Sequence, residues 1–155
     1  MGLGVFVAGW ANAQGLRAAR LLAPEPVRPL IEEHFDARLP TPADATARAA
    51  FLRRAQREIG ELLASEGWFS PTIALQPGDA GDEGVLVIAP GRRTRVARID
   101  LEFRGAIAGA GGNYAERIAA LRRAWPLEVG APFRSPDWES AKAALLAGVS
   151  RRDFA

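Results

Sequence analysis

The sequence predicts an α+β fold built from two tandem modules, and three observations carry this prediction. Residues 41–66 place apolar side chains at helical spacing and are followed by Gly67, a pattern typical of a helix that ends there. Residues 72–88 contain two strand-like stretches separated by turn residues. Residues 96–155 repeat the order of a strand and two helices, a weak internal repeat that indicates a second module.

Length and composition are those of a globular protein with room for two small domains. The chain has 155 residues, a formal net charge of +2 and no cysteine, so disulfides and thiolate metal sites are excluded. All but one of the 20 basic residues are arginine, but the small net charge does not predict nucleic-acid binding. No run approaches the roughly 20 apolar residues that a transmembrane helix needs.

The N-terminal residues are typical of the second half of a secretory signal. An apolar run over residues 2–10 is followed by the small-residue cleavage site Ala11-Asn12-Ala13 and by Gln14. The basic segment that opens such a signal is missing, and a short buried helix or strand is the other interpretation. We expect residues 1–13 to be the remnant of a signal peptide.

Two short elements are expected before the long helix. Residues 16–22 favour helix by composition, but the prolines after them leave room only for a short helix or strand. Pro26 fits the first position of a helix that ends near Asp36. Residues 38–40 are expected to connect this helix to Thr41, the predicted N-cap of the long helix.

The long helix is predicted to bury one face and to stop at a turn with two aromatic residues. Its apolar stripe is formed by Leu52, Ala55, Ile59, Leu62 and Leu63. Gly67 supplies the left-handed conformation that ends a helix at least cost, and Trp68 and Phe69 are expected to pin the chain as it turns. Pro71 prevents further helix, so these four residues form the predicted structural turn.

A β-hairpin is predicted after this turn. Polar and apolar residues alternate, as in a half-buried strand, over Thr72, Ile73, Ala74, Leu75 and Gln76. Residues 85–88 are apolar on both faces, which is typical of a central strand, and turn-forming residues separate the two stretches. If the second strand is central, residues 72–76 form an edge of the sheet.

The second half is predicted to contain one strand and two helices. Residues 97–103 alternate cleanly, with Ile99, Leu101 and Phe103 inward, and a glycine-rich loop follows over residues 105–113. The predicted buried faces of the helices are Tyr114, Ile118, Leu121 and Trp125 in the first, and Trp138, Ala141, Leu145 and Val149 in the second.

The predicted module boundaries are residues 14–95 and residues 96–155. An aromatic residue follows the second helix in each half: Trp68 and Phe69 in the first and Phe154 in the second. A hairpin follows this turn only in the first half. We therefore expect the second module to be incomplete, truncated after its second helix, and the chain to be a fragment of a longer protein.

The order strand-helix-helix-strand-strand, with Glu66 to Pro71 leaving the second helix, resembles the POTRA module of outer-membrane β-barrel assembly factors. Within the BamA/TamA superfamily the chain is most similar to the TamA-like branch, the outer-membrane subunit of the translocation and assembly module. The two-partner secretion transporters and the essential barrel-assembly subunit stay open as alternatives. The resemblance covers nearly all of the mature chain and lies in residues 23–28, 32–34, 89–94, 103–107, 125–127, 130–134 and 137–142.

The resemblance implies a periplasmic scaffold of outer-membrane protein assembly and translocation, on the periplasmic side of the outer membrane in a Gram-negative envelope. Such modules use an exposed sheet edge to pair with an extended segment of a client or partner. The expected partners are unfolded outer-membrane protein segments, or a periplasmic or inner-membrane assembly partner, and no nucleic acid. Residues 72–76 are the partner-binding edge in this interpretation. A C-terminal barrel, absent from this sequence, would provide the membrane contact.

The sequence contains no pattern that predicts catalysis, a cofactor or a metal site. His34 is the single histidine and has no carboxylates at ligand spacing on its own helix face. The glycines between residues 105 and 112 match neither the dinucleotide fingerprint nor the Walker pattern. No serine has a histidine positioned by a motif. We therefore expect a protein that is not an enzyme.

The alternative function is binding of an anionic partner, such as lipid head groups or nucleic acid, through a cluster of arginines. These residues are Arg92, Arg93, Arg95 and Arg98. Asp100 and Glu102 lie on the outward face that Arg98 is expected to share, and no aromatic residues are interleaved for base stacking. A solvated face is therefore the preferred interpretation of this cluster.

Overall fold

The computed structural model combines short strands with helices, which confirms the predicted α+β class. It describes residues 15–79, 84–108 and 112–150, apart from the side chains of residues 106, 112 and 113. The elements are β1 (Gly15–Ala18), β2 (Arg20–Leu22), α1 (Arg28–His34), β3 (Arg38–Thr41), α2 (Ala45–Ser65), β4 (Thr72–Gln76), β5 (Val85–Ala89), a 3-10 helix (Gly105–Ala108), α3 (Gly112–Arg123) and α4 (Ser135–Ser150).

Two sequence-based predictions fall outside this description. The expected signal remnant, residues 1–13, and the aromatic turn at Phe154 both lie outside the described residues. Within the ranges that are described, no helix is both long and apolar enough to cross a membrane.

The chain divides into two compact units. The first comprises residues 1–57 and 73–88, and the second comprises residues 58–72 and 89–155. The division falls inside α2 and again at the start of β4, so each unit is assembled from two stretches of chain. The contiguous modules expected from the sequence, with a boundary at residue 95, stay a prediction.

Among the described residues, two small sheets form in the N-terminal half of the chain. β1 and β3 make an antiparallel ribbon. The other sheet has the strand order β2-β5-β4, and β2 runs parallel to β5. Val85, Leu86 and Ile88 of β5 are buried, as the strand between two neighbours requires. The predicted central position of residues 85–88 is confirmed.

The predicted connector over residues 38–40 is wrong, because these residues belong to β3. Arg38 to Thr41 pair with β1, and Leu39 is fully buried. The stretch before α1, left open between helix and strand by its sequence, forms the strands β1 and β2. Helix propensity did not determine the secondary structure of this stretch, because pairing with a distant strand satisfies its backbone hydrogen-bonding groups.

The predicted N-cap of the long helix at Thr41 is also wrong. The Asp44 carboxylate accepts a hydrogen bond from the Ala47 N–H at 2.7 Å. The Asp44 carbonyl accepts the first helical bond, from the Arg48 N–H at 3.0 Å, so Asp44 is the cap of α2. Aspartate caps as well as threonine does, and Thr41 is held in β3.

Helix α1 begins two residues later than predicted. Pro26 lies in a turn in which the N–H groups of Val27 and Arg28 both bond the Pro24 carbonyl, at 3.1 and 3.0 Å. The helix buries Ile31, and Val27 at its N-cap is fully buried. The proline in the first turn of α1 is Pro29 at its second position, where no helical hydrogen bond requires the missing N–H, whereas Pro26 lies in the preceding turn.

Helix α2 buries the face that its sequence predicts, but the most deeply buried row is not centred on the predicted apolar stripe. Every fourth residue from Phe51 is buried, because side chains four apart lie on one face of a helix. Leu52 and Leu62 flank this row and are only half-buried. The buried row consists of Phe51, Ala55, Ile59 and Leu63, and Phe51 lies outside the predicted stripe.

The second unit lacks the strand predicted over residues 97–103. These residues carry no regular secondary structure, although Ile99, Leu101 and Phe103 are half-buried and the residues between them are exposed. Period-two exposure is the pattern of an extended chain. The strand assignment is wrong because, among the described residues, no neighbouring segment forms a ladder with this stretch, and a single bridge joins Arg95 to Pro132.

The two helices of the second unit follow the sequence closely. Helix α3 ends at Arg123, shortly before Pro126, and α4 begins at Ser135 as its capping pattern predicts. Ala141 is buried, whereas the other residues of the predicted faces are half-buried or, like Trp138, more exposed. The Trp125 and Trp138 rings meet edge to face at 5.8 Å.

Candidate partner-binding edge

The structure places β4 at one edge of the three-stranded sheet, where the sequence predicts it. β5 lies on one side of β4, and no strand in the described part of the chain lies on the other. Ile73 is buried, Ala74 and Leu75 are half-buried, and Thr72 and Gln76 are exposed. The position of the edge is therefore confirmed, and its role in binding stays a prediction.

Two contacts show which backbone groups of β4 face outward. A Cβ atom placed on Gly84, just before β5, would come within 2.9 Å of the Gln76 carbonyl oxygen, so that carbonyl points toward β5. The Ile73 carbonyl instead accepts a hydrogen bond from the Gln56 side-chain amide of α2 at 3.2 Å. Because successive residues of a strand point their backbone groups to opposite sides, Ile73 and Leu75 face the free edge.

An open groove of about 420 Å³ runs beside the C-terminal half of β4. One wall is formed by α2, and the other by β4 and the turn after it. The lining residues are Arg48, Ala49, Leu52, Leu75, Gln76, Pro77 and Gly78. Their mixture of aliphatic and polar groups can contact the side chains of an added strand.

Matched spacing aligns α2 with β4. Arg48, Leu52 and Gln56 are four residues apart and form one row on the helix. Four helical residues advance the chain by about 6 Å, and two strand residues by about 6.6 Å. Leu52 therefore lies level with Leu75 when Gln56 lies level with Ile73. This row was not predicted from the sequence, although its four-residue spacing indicates side chains on one face of a helix.

The predicted structural turn after α2 is a Schellman motif. Gly67 has φ of +92°, the Gly67 N–H bonds the Ala64 carbonyl at 3.1 Å, and the Trp68 N–H bonds the Leu63 carbonyl at 2.9 Å. A Cβ atom on Gly67 would collide with the Phe133 carbonyl oxygen. Only glycine fits this position.

The two aromatic residues of the turn have different environments. Trp68 is buried, and the Arg93 guanidinium stacks over its ring at 4.5 Å. Phe69 is 53% exposed, and its ring contacts the Phe133 ring at 5.8 Å. Trp68 therefore holds the turn from the interior, whereas Phe69 packs against Phe133 at the surface, and the expected role of both rings stays a prediction. Pro71 lies between the turn and β4, as predicted.

A charged network closes this turn within the second unit. Glu66 accepts two hydrogen bonds from Arg134, at 2.8 and 2.9 Å, and a longer one from Arg93 at 3.4 Å. Arg93 also donates to the Glu66 carbonyl at 2.9 Å. The Arg134 hydrogen bonds are the main cause that lowers the pKa of Glu66. The network fixes the end of α2 to the segment around Phe133.

The arginine cluster behind the alternative function is largely engaged in internal contacts. Arg93 takes part in the Glu66 network, and Arg95 donates to the Gly130 carbonyl at 2.7 Å. Arg98 forms an ion pair with Asp100 at 2.6 Å. The contacts of Arg93 and Arg95 favour a structural role for these two arginines, whereas the side chains of the Arg98–Asp100 pair are 83% and 68% exposed.

The described residues contain no group of three or more potential metal ligands among histidine, cysteine, aspartate and glutamate. The His34 ring nitrogen Nδ1 lies 2.9 Å from the Leu30 carbonyl oxygen, one turn earlier on α1. This contact orients the ring at the surface of the helix. The predicted glycine-rich loop begins with the 3-10 helix, and residues 109–111 lie outside the described ranges.

Comparison with known proteins shows a structural likeness but no match by sequence. No protein family and no curated protein matches the chain. The crystal structure of Haemophilus influenzae BamA POTRA3-5 is similar, with a TM-score of 0.38 and 22% identity. The likeness covers 89% of this chain and 51% of that chain, so this chain spans about half the length of its structural neighbour.

Proposed function

We propose that this protein is a non-catalytic scaffold that binds extended segments of partner proteins by accepting them as an additional strand beside β4. Its POTRA-like sequence pattern assigns it to outer-membrane protein assembly, on the periplasmic side of the outer membrane. Within that class we propose the TamA-like branch. Its partners are then unfolded outer-membrane protein segments, or a periplasmic or inner-membrane assembly partner.

The single observation that supports this proposal most strongly is the outward-facing backbone of β4. An edge strand offers N–H and C=O groups that pair with any extended chain, so affinity comes with little demand on sequence. Ile73 and Leu75 provide these groups, and β5 holds the strand from the other side. An incoming strand replaces the Gln56 amide at the Ile73 carbonyl.

The groove beside β4 gives the proposed site its preference among extended segments. Leu52 and Leu75 are half-buried and present aliphatic surface along the path of the added strand. Because side chains of a strand alternate between faces, every second residue of the partner contacts this groove. We therefore expect segments with alternating apolar residues to bind better than uniformly polar ones.

Substitution of Leu75 tests the proposal directly. Leu75→Ala removes only the side chain, whereas Leu75→Pro also removes the N–H that faces the free edge, in a position where an edge strand tolerates proline. We expect Leu75→Pro to bind an unfolded outer-membrane β-barrel protein, diluted from urea, at least about 5-fold more weakly than Leu75→Ala, because one backbone hydrogen bond and its neighbours are lost.

Fluorescence anisotropy of the labelled client gives both affinities, and circular dichroism checks that both variants fold. Equal affinities for the two variants would contradict strand addition at β4. The dependence of binding on salt distinguishes strand addition at β4 from the alternative function, binding of an anionic partner. Binding to backbone groups changes little with salt, whereas binding of anionic partners by arginines falls steeply between low and moderate ionic strength.

A further inference from the structure

One backbone group of the β4 edge is covered by a side chain of α2. The Gln56 amide nitrogen Nε2 donates a hydrogen bond to the Ile73 carbonyl at 3.2 Å. Both residues belong to the same compact unit, which comprises residues 1–57 and 73–88. The Gln56 amide therefore occupies the position at which an added strand would place its own N–H.

The backbone on both sides of this contact is held in place, whereas the Gln56 side chain lies at the surface. Ile73 is 7% exposed, and Ala55, the residue before Gln56, is fully buried. Gln56 itself is exposed. Its amide can therefore leave the Ile73 carbonyl while α2 and β4 keep their positions, and water then replaces the lost hydrogen bond.

The residue of α2 that lies level with Leu75 offers no hydrogen-bond donor from its side chain. This residue is Leu52, and its aliphatic side chain lines the groove beside β4. An incoming segment thus meets an aliphatic side chain at Leu75 and a bound amide at Ile73. The two outward-facing residues of the edge differ in what a partner must displace.

We propose that Gln56 competes with partner segments for the Ile73 carbonyl and thereby sets how tightly the β4 edge holds them. This inference rests on the proposed function and adds the regulation of that site. Gln56 occupies the edge while no partner is bound, and it returns when the partner leaves. Each partner exchanges one hydrogen bond for another at Ile73, so this position adds little to the affinity.

An internal competitor of this kind suits an edge strand that has to release its partners. An edge strand pairs with any extended chain, so a fully open edge also invites pairing with the wrong one. Because the Gln56 amide acts on the empty site, its effect does not depend on the sequence of the partner. It lowers the affinity for every segment that reaches Ile73, and we expect this to appear mainly as faster dissociation.

Two substitutions that remove the donor test the competition. Gln56→Ala shortens the side chain, and Gln56→Met keeps its approximate length but has no N–H. We expect both variants to bind an unfolded outer-membrane β-barrel protein, diluted from urea, roughly 2- to 10-fold more tightly than the original chain, because the client no longer displaces a hydrogen bond.

Glu61→Ala is the matched control for these variants. Glu61 is exposed and lies five residues after Gln56, on another face of α2, so its loss should leave client binding unchanged. Fluorescence anisotropy of the labelled client gives the affinities. Circular dichroism checks that all variants fold, and alanine and methionine both suit an exposed helical position.

The side-chain amide signals of Gln56 report the exchange at Ile73 directly. In the NMR spectrum of nitrogen-15-labelled protein they are identified by their loss in Gln56→Ala. We expect the client to move these signals toward the position of a hydrated glutamine amide, because the Ile73 carbonyl then accepts from the added strand.

The outcomes separate this inference from the proposed function. Equal client affinities for Leu75→Pro and Leu75→Ala would reject strand addition at β4 itself. If Leu75→Pro binds more weakly, but both Gln56 variants bind no more tightly than the original chain, strand addition stands and the competition is wrong. A gain with Gln56→Met alone would also overturn the inference, since it would come from a new apolar contact. So would bound client that leaves the Gln56 amide signals unchanged.

Discussion

At the scale of single residues, Gly67 shows how a local backbone requirement and a distant contact fix the same position. Its φ of +92° ends α2, and its missing side chain admits the Phe133 carbonyl. The first requirement can be predicted from the sequence, because a glycine after the last periodic turn is the usual helix stop. The second cannot, since it depends on a segment more than sixty residues away.

Gly67→Ala is therefore expected to lower the free energy of unfolding by more than the conformational strain of a left-handed alanine alone. The conformational strain is about 1–2 kcal/mol, and displacement of the Phe133 carbonyl adds to it. Gly130→Ala is the matched control because Gly130 has a similar φ, +89°, and an added methyl group there would meet no atom within 4 Å. Urea unfolding measures both. Equal losses of unfolding free energy would contradict the close contact at Gly67.

The Glu66 network predicts an acid-sensitive contribution to stability. The pKa of Glu66 is lowered below its ordinary value of 4.5, so the folded state favours the charged form. The contribution is complete above the pKa of the unfolded chain and is lost as the pH falls through the lower pKa of the folded protein. Its side chain is only 17% exposed, which limits screening by solvent.

Glu66→Gln is expected to lower the free energy of unfolding by about 1–3 kcal/mol at neutral pH, because charge-assisted hydrogen bonds are lost. The difference from the original chain should shrink as the pH falls below 4.5. Glu139→Gln breaks an exposed pair with Lys142 and should have little effect at any pH. Urea unfolding across pH provides the test. A difference for Glu66→Gln that does not change with pH would refute the assignment.

At the scale of elements, the periodicity of apolar residues predicted the helices and the hairpin strands. Whether the other extended segments form strands depended on pairing with a neighbouring segment. β4 and β5 were predictable because alternation and an apolar run each have a clear local signal. β3 was not, because its partner β1 is about 20 residues away and its sequence contains a proline. Residues 97–103 show the converse, because they alternate clearly but have no neighbouring strand among the described residues.

The helix start at Asp44 gives a prediction at this scale. Asp44→Ala removes the capping hydrogen bond to the Ala47 N–H and should cost about 0.5–2 kcal/mol of stability. Thr41→Val tests the rejected cap, because the buried Thr41 hydroxyl has no hydrogen-bond partner among the described residues and its loss should be neutral or stabilising. Thermal unfolding compares the stability of the two variants with that of the original chain. A larger loss for Thr41→Val than for Asp44→Ala would contradict the cap assignment.

At the scale of the whole molecule, the chain divides into two compact units, and the proposed binding edge lies in the three-stranded sheet. The β4 edge belongs to a complete three-stranded sheet and has a groove beside it. The sequence predicted this edge by its pattern. It did not reveal the Gln56 contact or the groove, because both arise from the alignment of α2 with β4.

Amide hydrogen exchange with and without an unfolded outer-membrane β-barrel protein tests the central claim most directly. We predict slower exchange of the outward-facing amides of Thr72–Gln76 when the client is present, because an added strand bonds them. Unchanged exchange throughout β4, despite bound client, would contradict the assignment of this edge as the binding site.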